Sequence, residues 1–396
     1  MLFSFEALQA KAGDCLLLHY GPKAEPRLIV IDGGPTRSVY ERLKARLDAL
    51  RISGGFAAHG EKLPIELLMV SHIDDDHIDG ILHLTQELID ADDKPYEILE
   101  MWHNSFDDLI GNGAAELSTA AHGAVEAAST GSDFLDQELV EHDTALILAS
   151  VNQGRRLRDN ARKLSLRPEL QVAQADEEPR EFGDGLTLRL VGPMQAQLED
   201  LHKKWEKTLK KLDAEGKLDR AAGASFADKS AANLSSLVVL AEMDGKSVLL
   251  TGDARGDFMM ESLREQQLLD RSGRLHVDIF KLPHHGSERN VERSTFRDIT
   301  ADHYVFSGDG HHGNPDPPTF EMLFGGREDA DLLDRPFKLH LTYAPEEMVK
   351  YRGKDYPLGE LNRILDAARQ RGHDFELLHP KDGAESLVID LGEASA

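Results

Sequence analysis

The chain has 396 residues, 40% of them hydrophobic and 29% charged, which is length and apolar content enough for a sizeable core. Its 71 acidic and 45 basic residues leave a formal charge of −26, which disfavours broad non-specific binding to nucleic acid without excluding a nuclease, and a single cysteine excludes an internal disulfide framework or a cysteine-rich metal site. The segment from Met1 lacks a basic stretch leading into an apolar one, and no apolar run nears the roughly 18 residues of a membrane span, so a cytoplasmic protein with no membrane partner is expected.

Leu2, Phe3, Phe5, Ala7 and Leu8 lead to a turn at Lys11-Ala12-Gly13-Asp14, and 15–20 reads as the returning strand of an opening hairpin. Residues 27–31 predict a buried strand ending in Asp32-Gly33-Gly34, and Val39, Leu43, Leu47 and Leu50 predict a helix from Ser38. A further buried strand at 65–70 delivers Ser71-His72-Ile73-Asp74-Asp75-Asp76-His77. Ile78, Ile81, Leu82, Leu84 and Leu88 continue as a helix, with Gly80 allowing it to approach closely. Residues 97–104 predict another strand with polar residues at its end.

Residues 105–180 turn rich in alanine and acid, with a basic patch at Arg155, Arg156, Arg158, Arg162 and Lys163, and predict a mostly helical insertion. After a strand at 186–191, a second insertion at about 195–232 mixes charges at three- and four-residue spacing; a solvated helix is expected, with a lid or basic arm as the alternative. Two strands at 236–240 and 246–250 then form a hairpin ending on Thr251-Gly252-Asp253, followed by a helix through Phe258, Met259, Leu263 and Leu268. A strand at 277–282 breaks into Pro283-His284-His285-Gly286-Ser287, and one at 303–307 runs into a loop with His311, His312 and Asn314-Pro315-Asp316-Pro317. Beyond 337 the pattern predicts a strand, a helix at 357–371, and a closing hairpin of 375–379 and 386–391 that completes the second sheet; residues 1–396 are expected to form a single domain.

The chemistry concentrates between His72 and His77, where five ligand types fall within six residues directly after a buried strand. Carboxylates this close must protonate or find a counter-charge. A solvated acidic turn capping the next helix is the alternative, but the two bracketing histidines at a strand end favour a metal ion. Imidazole mixed with carboxylate suits zinc, manganese or iron better than calcium or magnesium.

The landmarks Gly13-Asp14, Ile31-Asp32-Gly33-Gly34, His72-x-Asp74-x-Asp76-His77-x-x-Gly80, Asn233-x-Ser235-Ser236-Leu237-Val238, Leu249-Leu250-Thr251-Gly252-Asp253 and Leu282-Pro283-His284-His285-Gly286-Ser287 occur in the order of the metallo-β-lactamase superfamily. The pattern resembles the hydrolase domain of the ComEC/Rec2 competence proteins and their soluble relatives. This resemblance implies an α/β fold, a four-layer αββα sandwich with the two stretches above as insertions, and two divalent metal ions, Zn2+ or Mn2+. It implies His72 and Asp74 on one ion, Asp76 and His77 on the other, Asp253 bridging, and His284 or His285 completing the shell.

Two departures stand out. Asp74 replaces the superfamily's more usual histidine, as in the ComEC-like branch. Asn314 stands where a late His-Pro-x-Pro element has histidine, so a proton-shuttling role is vacant or passes to His311 or His312. A third ligand for the first ion is sought at His103 or Asn233. The expected activity is phosphodiester hydrolysis of nucleic acid or a nucleotide, with Asp76 or the non-ligand member of the His284/His285 pair as base or acid, and Asn233, Ser287, His312 and Asn314 as substrate contacts. The basic residues at 155–163 and 203–220 are candidate backbone contacts. The alternatives are hydrolysis of a lactone, thioester or β-lactam, and a catalytically weakened scaffold or regulator. Assembly of identical copies is left open, and a serine nucleophile is set aside because no G-x-S-x-G elbow occurs.

Overall fold

The computed structural model describes residues 1–104, 142–166, 175, 178–199, 235–349, 355–381 and 383–392, with side chains of the helix over 142–163 described from 153 onward. In chain order the elements are β1 (Leu2–Leu8), β2 (Leu16–Gly21), β3 (Arg27–Ile31), α1 (Arg37–Ser53), β4 (Leu63–Ile65), β5 (Leu67–Val70), α2 (Asp75–Asp90), β6 (Tyr96–Ile98), β7 (Met101–His103) and α3 (His142–Lys163). The second half follows as β8 (Arg180–Glu181), β9 (Thr187–Gly192), β10 (Val238–Met243), β11 (Lys246–Leu250), α4 (Gly256–Glu265), β12 (Leu275–Lys281), α5 (Arg293–Asp298), β13 (Ile299–Phe306), α6 (Pro317–Asp329), β14 (Phe337–Leu341), α7 (Leu358–Gln370), β15 (Phe375–Leu378) and β16 (Ser386–Asp390).

Two sheets carry the structure, one of six strands in the order β16-β1-β2-β3-β5-β7 and one of eight in the order β15-β14-β13-β12-β11-β10-β9-β8. Their strands are apolar on both faces because both faces are covered. In β3, Ile29 and Ile31 point into the layer between the sheets while Leu28 and Val30 meet the outer helices; β5 divides Leu67 and Met69 from Leu68 and Val70 in the same way. In the second sheet, Val239, Ala241, Val248 and Leu250 face inward and Val238, Leu240 and Leu249 face the helices on the far side. Val39, Leu43 and Leu47 of α1, Ile78, Ile81 and Leu88 of α2 and Leu157 of α3 cover the first sheet. Met259 and Leu263 of α4, Phe296, Phe320, Phe324 and Leu361 cover the second. The chain is therefore a four-layer αββα sandwich, the fold class expected from its sequence.

Three expectations need correction in detail. The strands expected at 65–70 and 97–104 are each two: β4 pairs with β6, the chain steps at Glu66 and at Leu99-Glu100, and β5 pairs with β3 and β7. Helix α2 begins three residues before Ile78, with Asp75 and Asp76 in its first turn, where carboxylates suit the helix dipole. The closing hairpin does not form. The crossover through α7 returns β15 parallel to β14 at the edge of the second sheet, whereas β16 passes to the first sheet and pairs antiparallel with β1, placing Leu387 and Ile389 between the sheets. Helix α3 lies in the first expected insertion; the rest of that stretch before it, and the mixed-charge segment of the second from 200 to 234, fall outside the described residues. Among the described residues no helix is long and apolar enough to cross a membrane.

Candidate metal centre

The ligand types come together at one edge of the sandwich, where β3, β5, β11 and β12 all end. The first sheet supplies Asp32, His72, Asp74, Asp76 and His77, and the second supplies Asp253, His284 and His285. Sites at the carboxyl ends of strands are the general rule for sheets of this kind. The first turn of α2 is seated tightly on the turn after β3: Gly33 N–H donates to His77 O at 2.7 Å, and Gly80 N–H to Gly34 O at 3.0 Å. A methyl group at Gly80 would lie 1.9 Å from the Gly33 carbonyl oxygen, so glycine is required there. Across the sheets, Leu237 N–H donates to Ser71 O at 2.8 Å; within the first sheet's side, Asp14 N–H donates to Asp76 O at 3.2 Å.

The Asp253 carboxylate lies between two pairs of histidines. Its Oδ2 is 3.7 Å from His72 Nε2 and 3.5 Å from His284 Nε2, and its Oδ1 is 3.2 Å from His77 Nε2 and 3.8 Å from His285 Nε2. Asp74 Oδ2 adds a contact of 3.7 Å on the His72 side. Asp76 Oδ2 reaches His285 Nε2 at 3.3 Å and its Oδ1 lies 4.0 Å from His77 Nε2 on the other. Asp76, His77, Asp253 and His285 thus form one group of potential ligands within 4.8 Å of one another, and His72, Asp74 and Asp76 form a second. His284 and His285 reach opposite oxygens of Asp253 because both adopt positive φ, 49° and 57°, which turns their rings 80° apart.

Whether this arrangement fits a metal ion is decided by its unused atoms. His72 Nε2, His77 Nε2 and Asp253 Oδ1 are buried and have no hydrogen-bond partner, although buried polar atoms are nearly always satisfied. The other ring nitrogen of each histidine is engaged away from the cluster. His77 Nδ1 donates to Asp32 Oδ2 at 2.8 Å; His285 Nδ1 lies 2.9 Å from Ser307 Oγ and 3.3 Å from Asp14 Oδ1. His284 Nδ1 donates to Asn290 Oδ1 at 2.8 Å, an orientation fixed by Asn290 Nδ2 donating to Asp253 O, and His72 Nδ1 contacts Ser71 Oγ at 3.2 Å. Such backing sets the tautomer and leaves Nε2 free for an ion. With nitrogen and carboxylate oxygen as donors, the set fits zinc or manganese.

Burial opposes charge throughout the cluster, and the neighbours decide the outcome. Burial, reinforced by the His77 charge, pushes His72 down to about 3. His77 is raised well above the usual histidine range because the attraction of Asp253, Asp32 and Asp76 outweighs burial. His285 rises to about 9 against burial, through Asp14 and Asp253. Against burial, the histidines hold Asp253 and Asp76 well below the usual carboxylate range. These directions favour protonated His77 and His285 beside the carboxylates, and an ion held at their Nε2 atoms would have to replace those protons.

The remaining expected site residues are placed as follows. Asp75 turns away to Gln153 of α3. His103 Nε2 meets Gly154 O at 3.3 Å and lies outside both ligand groups. Ser287 Oγ faces Asp316, Asn314 Nδ2 donates to His284 O at 3.1 Å, and His312 is exposed with its ring against His311. Asn233 lies outside the described residues. Asp14 and Asp32 appear in the sequence only as turn landmarks, Ser71, Lys281 and Ser307 carry no local signal beyond standing near strand ends, and Asn290 carries none.

No family model matches the chain, and no curated protein matches it. Among solved structures, the Zn2+-bound PqqB from Methylobacterium extorquens is similar at a TM-score of 0.30 and 13% identity, over 95% of this chain and 87% of that one.

Proposed function

We propose that this chain is a dinuclear metal-dependent hydrolase that cleaves phosphodiesters, with nucleic acid or a nucleotide as its substrate. The observation that carries the reading is Asp253, whose two carboxylate oxygens are each shared by a different pair of histidines, with unpartnered nitrogens at His72 and His77. His72, Asp74 and His284 would hold one ion, Asp76, His77 and His285 the other, and Asp253 both. Under this assignment His284 supplies the third protein ligand of the first ion. Bound in pairs, divalent ions neutralise a phosphate and lower the pKa of water toward neutrality.

The chain's own residues prepare that chemistry. Asp32 and Asp14 hold His77 and His285 with Nε2 toward the cluster, and Asn290 does the same for His284. The open side is lined by Asp74, Asp76 and His284, whose side chains are 24, 29 and 29% exposed, while His72 and His77 are fully covered. Substrate would enter there, with the Asp76 carboxylate beside the reacting phosphate.

The carboxylates on that open side and the net charge of −26 favour a second reading, a small uncharged substrate such as a lactone. Both are tested together by metal analysis of the purified chain, followed by assays under Mn2+ and Zn2+ on bis-p-nitrophenyl phosphate, single- and double-stranded DNA, RNA and a lactone panel. Diester or nucleic-acid turnover with two bound ions is expected. Lactone turnover without diester turnover would transfer the assignment to the second reading, and a chain that takes up no metal would end both.

A further inference from the structure

Lys281, the last residue of β12, is fully buried, and its Nζ lies 2.8 Å from Asp14 Oδ2, itself 1% exposed. Nζ also donates to the Leu282 carbonyl oxygen at 2.9 Å, at the base of the Pro283–Gly286 loop. A buried ion pair is poor evidence of stability, because desolvation takes back most of the attraction and an apolar pair of equal volume often serves as well. What sets this pair apart is where its ends are attached. Asp14 Oδ1 lies 3.3 Å from His285 Nδ1, and Asp14 N–H donates to Asp76 O at 3.2 Å. Asp14 belongs to the β1–β2 turn of the first sheet, whereas Lys281 and His285 belong to the second. Asp14 thus touches two residues of the Asp76/His77/Asp253/His285 group, His285 of the second sheet through its carboxylate and Asp76 of the first through its backbone N–H, and Lys281 is the cation against which the carboxylate is braced.

We infer that Lys281 is a positioning residue for the second ion: a tethered internal cation that fixes Asp14 against His285 and the Asp76 loop, holding the two sheets' contributions in register before an ion arrives. The inference rests on the metal-centre reading but not on the identity of the substrate. A charged ammonium has no lone pair to offer an ion, and Lys281 acts only through Asp14 and the Leu282 carbonyl.

The test is calorimetric titration of the full-length, metal-stripped chain with Zn2+ alone and Mn2+ alone, paired with the absorption spectrum of Co2+ added stepwise. Lys281→Met leaves Asp14 buried without its counter-charge, so the fold-preserving variant is the neutral pair Lys281→Met with Asp14→Asn. In that double variant the first ion should bind as in the unaltered chain and the second about 10- to 100-fold more weakly, with a changed second-step Co2+ spectrum. Glu6→Gln serves as the structural control. It removes a buried carboxylate paired with Arg46 and His19 away from the centre, and should leave both binding steps unchanged. A double variant that unfolds cooperatively and still binds both ions with unaltered affinity and spectrum would overturn the role of Lys281, as would an equal loss in Glu6→Gln. Failure of the unaltered chain to bind any ion would overturn the metal centre itself, while two ions bound without diester turnover would overturn only the substrate reading.

Discussion

His77 is backed by the Asp32 carboxylate and His285 by the Ser307 hydroxyl with the Asp14 carboxylate beside it, whereas His72 and His284 are backed by the Ser71 hydroxyl and the Asn290 amide. Burial follows the same division in the second-sheet pair, where the His285 side chain is 2% exposed and His284 29%. A carboxylate behind an imidazole raises its basicity and fixes its direction more firmly than a neutral acceptor does. If the proposed pair of ions binds, the second group would therefore hold its ion more firmly than the first.

Asp253 stands between the halves, so Asp253→Ala should abolish the distinction altogether. Loss of both ions by elemental analysis is expected, and diester turnover should fall on the order of 10³-fold, the scale of deleting a preorganised electrostatic group. Retention of one tightly bound ion would show that the halves do not share this residue. Asp32→Asn isolates the second half, and a loss of about 10- to 100-fold in affinity for one ion of the two is expected by titration. Asn290→Ala removes only the neutral support of His284, and about tenfold or less is expected, confined to the other ion. If Asn290→Ala proved as damaging as Asp32→Asn, the contrast between carboxylate and amide backing would collapse.

The smallest effect on the centre belongs to Glu6, a buried carboxylate remote from it. Against burial, its hydrogen bonds with His19 and Arg46 hold it down at about 2, below its ordinary 4.5. A depressed acid stabilises the fold above its ordinary pKa and loses that contribution as pH falls toward the folded value, here between pH 4.5 and about 2. The amount is on the order of 3 kcal/mol. Acid unfolding followed by circular dichroism should therefore show a flatter limb in Glu6→Gln over that interval, with metal stoichiometry at neutral pH unchanged.

The strands and the ligand-bearing loops were legible in the sequence because both are local signals. Apolar runs covered on two faces read directly as β3, β5, β10 and β11, and His72–His77 and His284–His285 are each contiguous in the sequence just after a strand. The supports of those ligands were not legible, because they are neighbours only across the sandwich. Asp14 and Lys281 are separated by most of the chain, and nothing in either local sequence marks them as an ion pair. The division of His284 and His285 between the two oxygens of Asp253 depends on two consecutive positive φ angles, which residue identity does not announce. The destination of β16 escaped for the same reason: its alternation fits an edge strand of either sheet, and only the crossover through α7 decides which.

That last pairing has a kinetic side. In register, Ser4 meets Asp390, so β1 gains its outer neighbour only after β16 has been synthesised, more than 380 positions later in the numbering. Until then the strand leading into the Asp14 turn carries an unpaired edge, and contacts of such long sequence separation close slowly. A chain terminated after β15 would own all eight strands of the second sheet and every ligand named above, yet leave β1 open along its length. Such a product is expected to be lost to edge-to-edge aggregation during biosynthesis before any defect in catalysis could be measured.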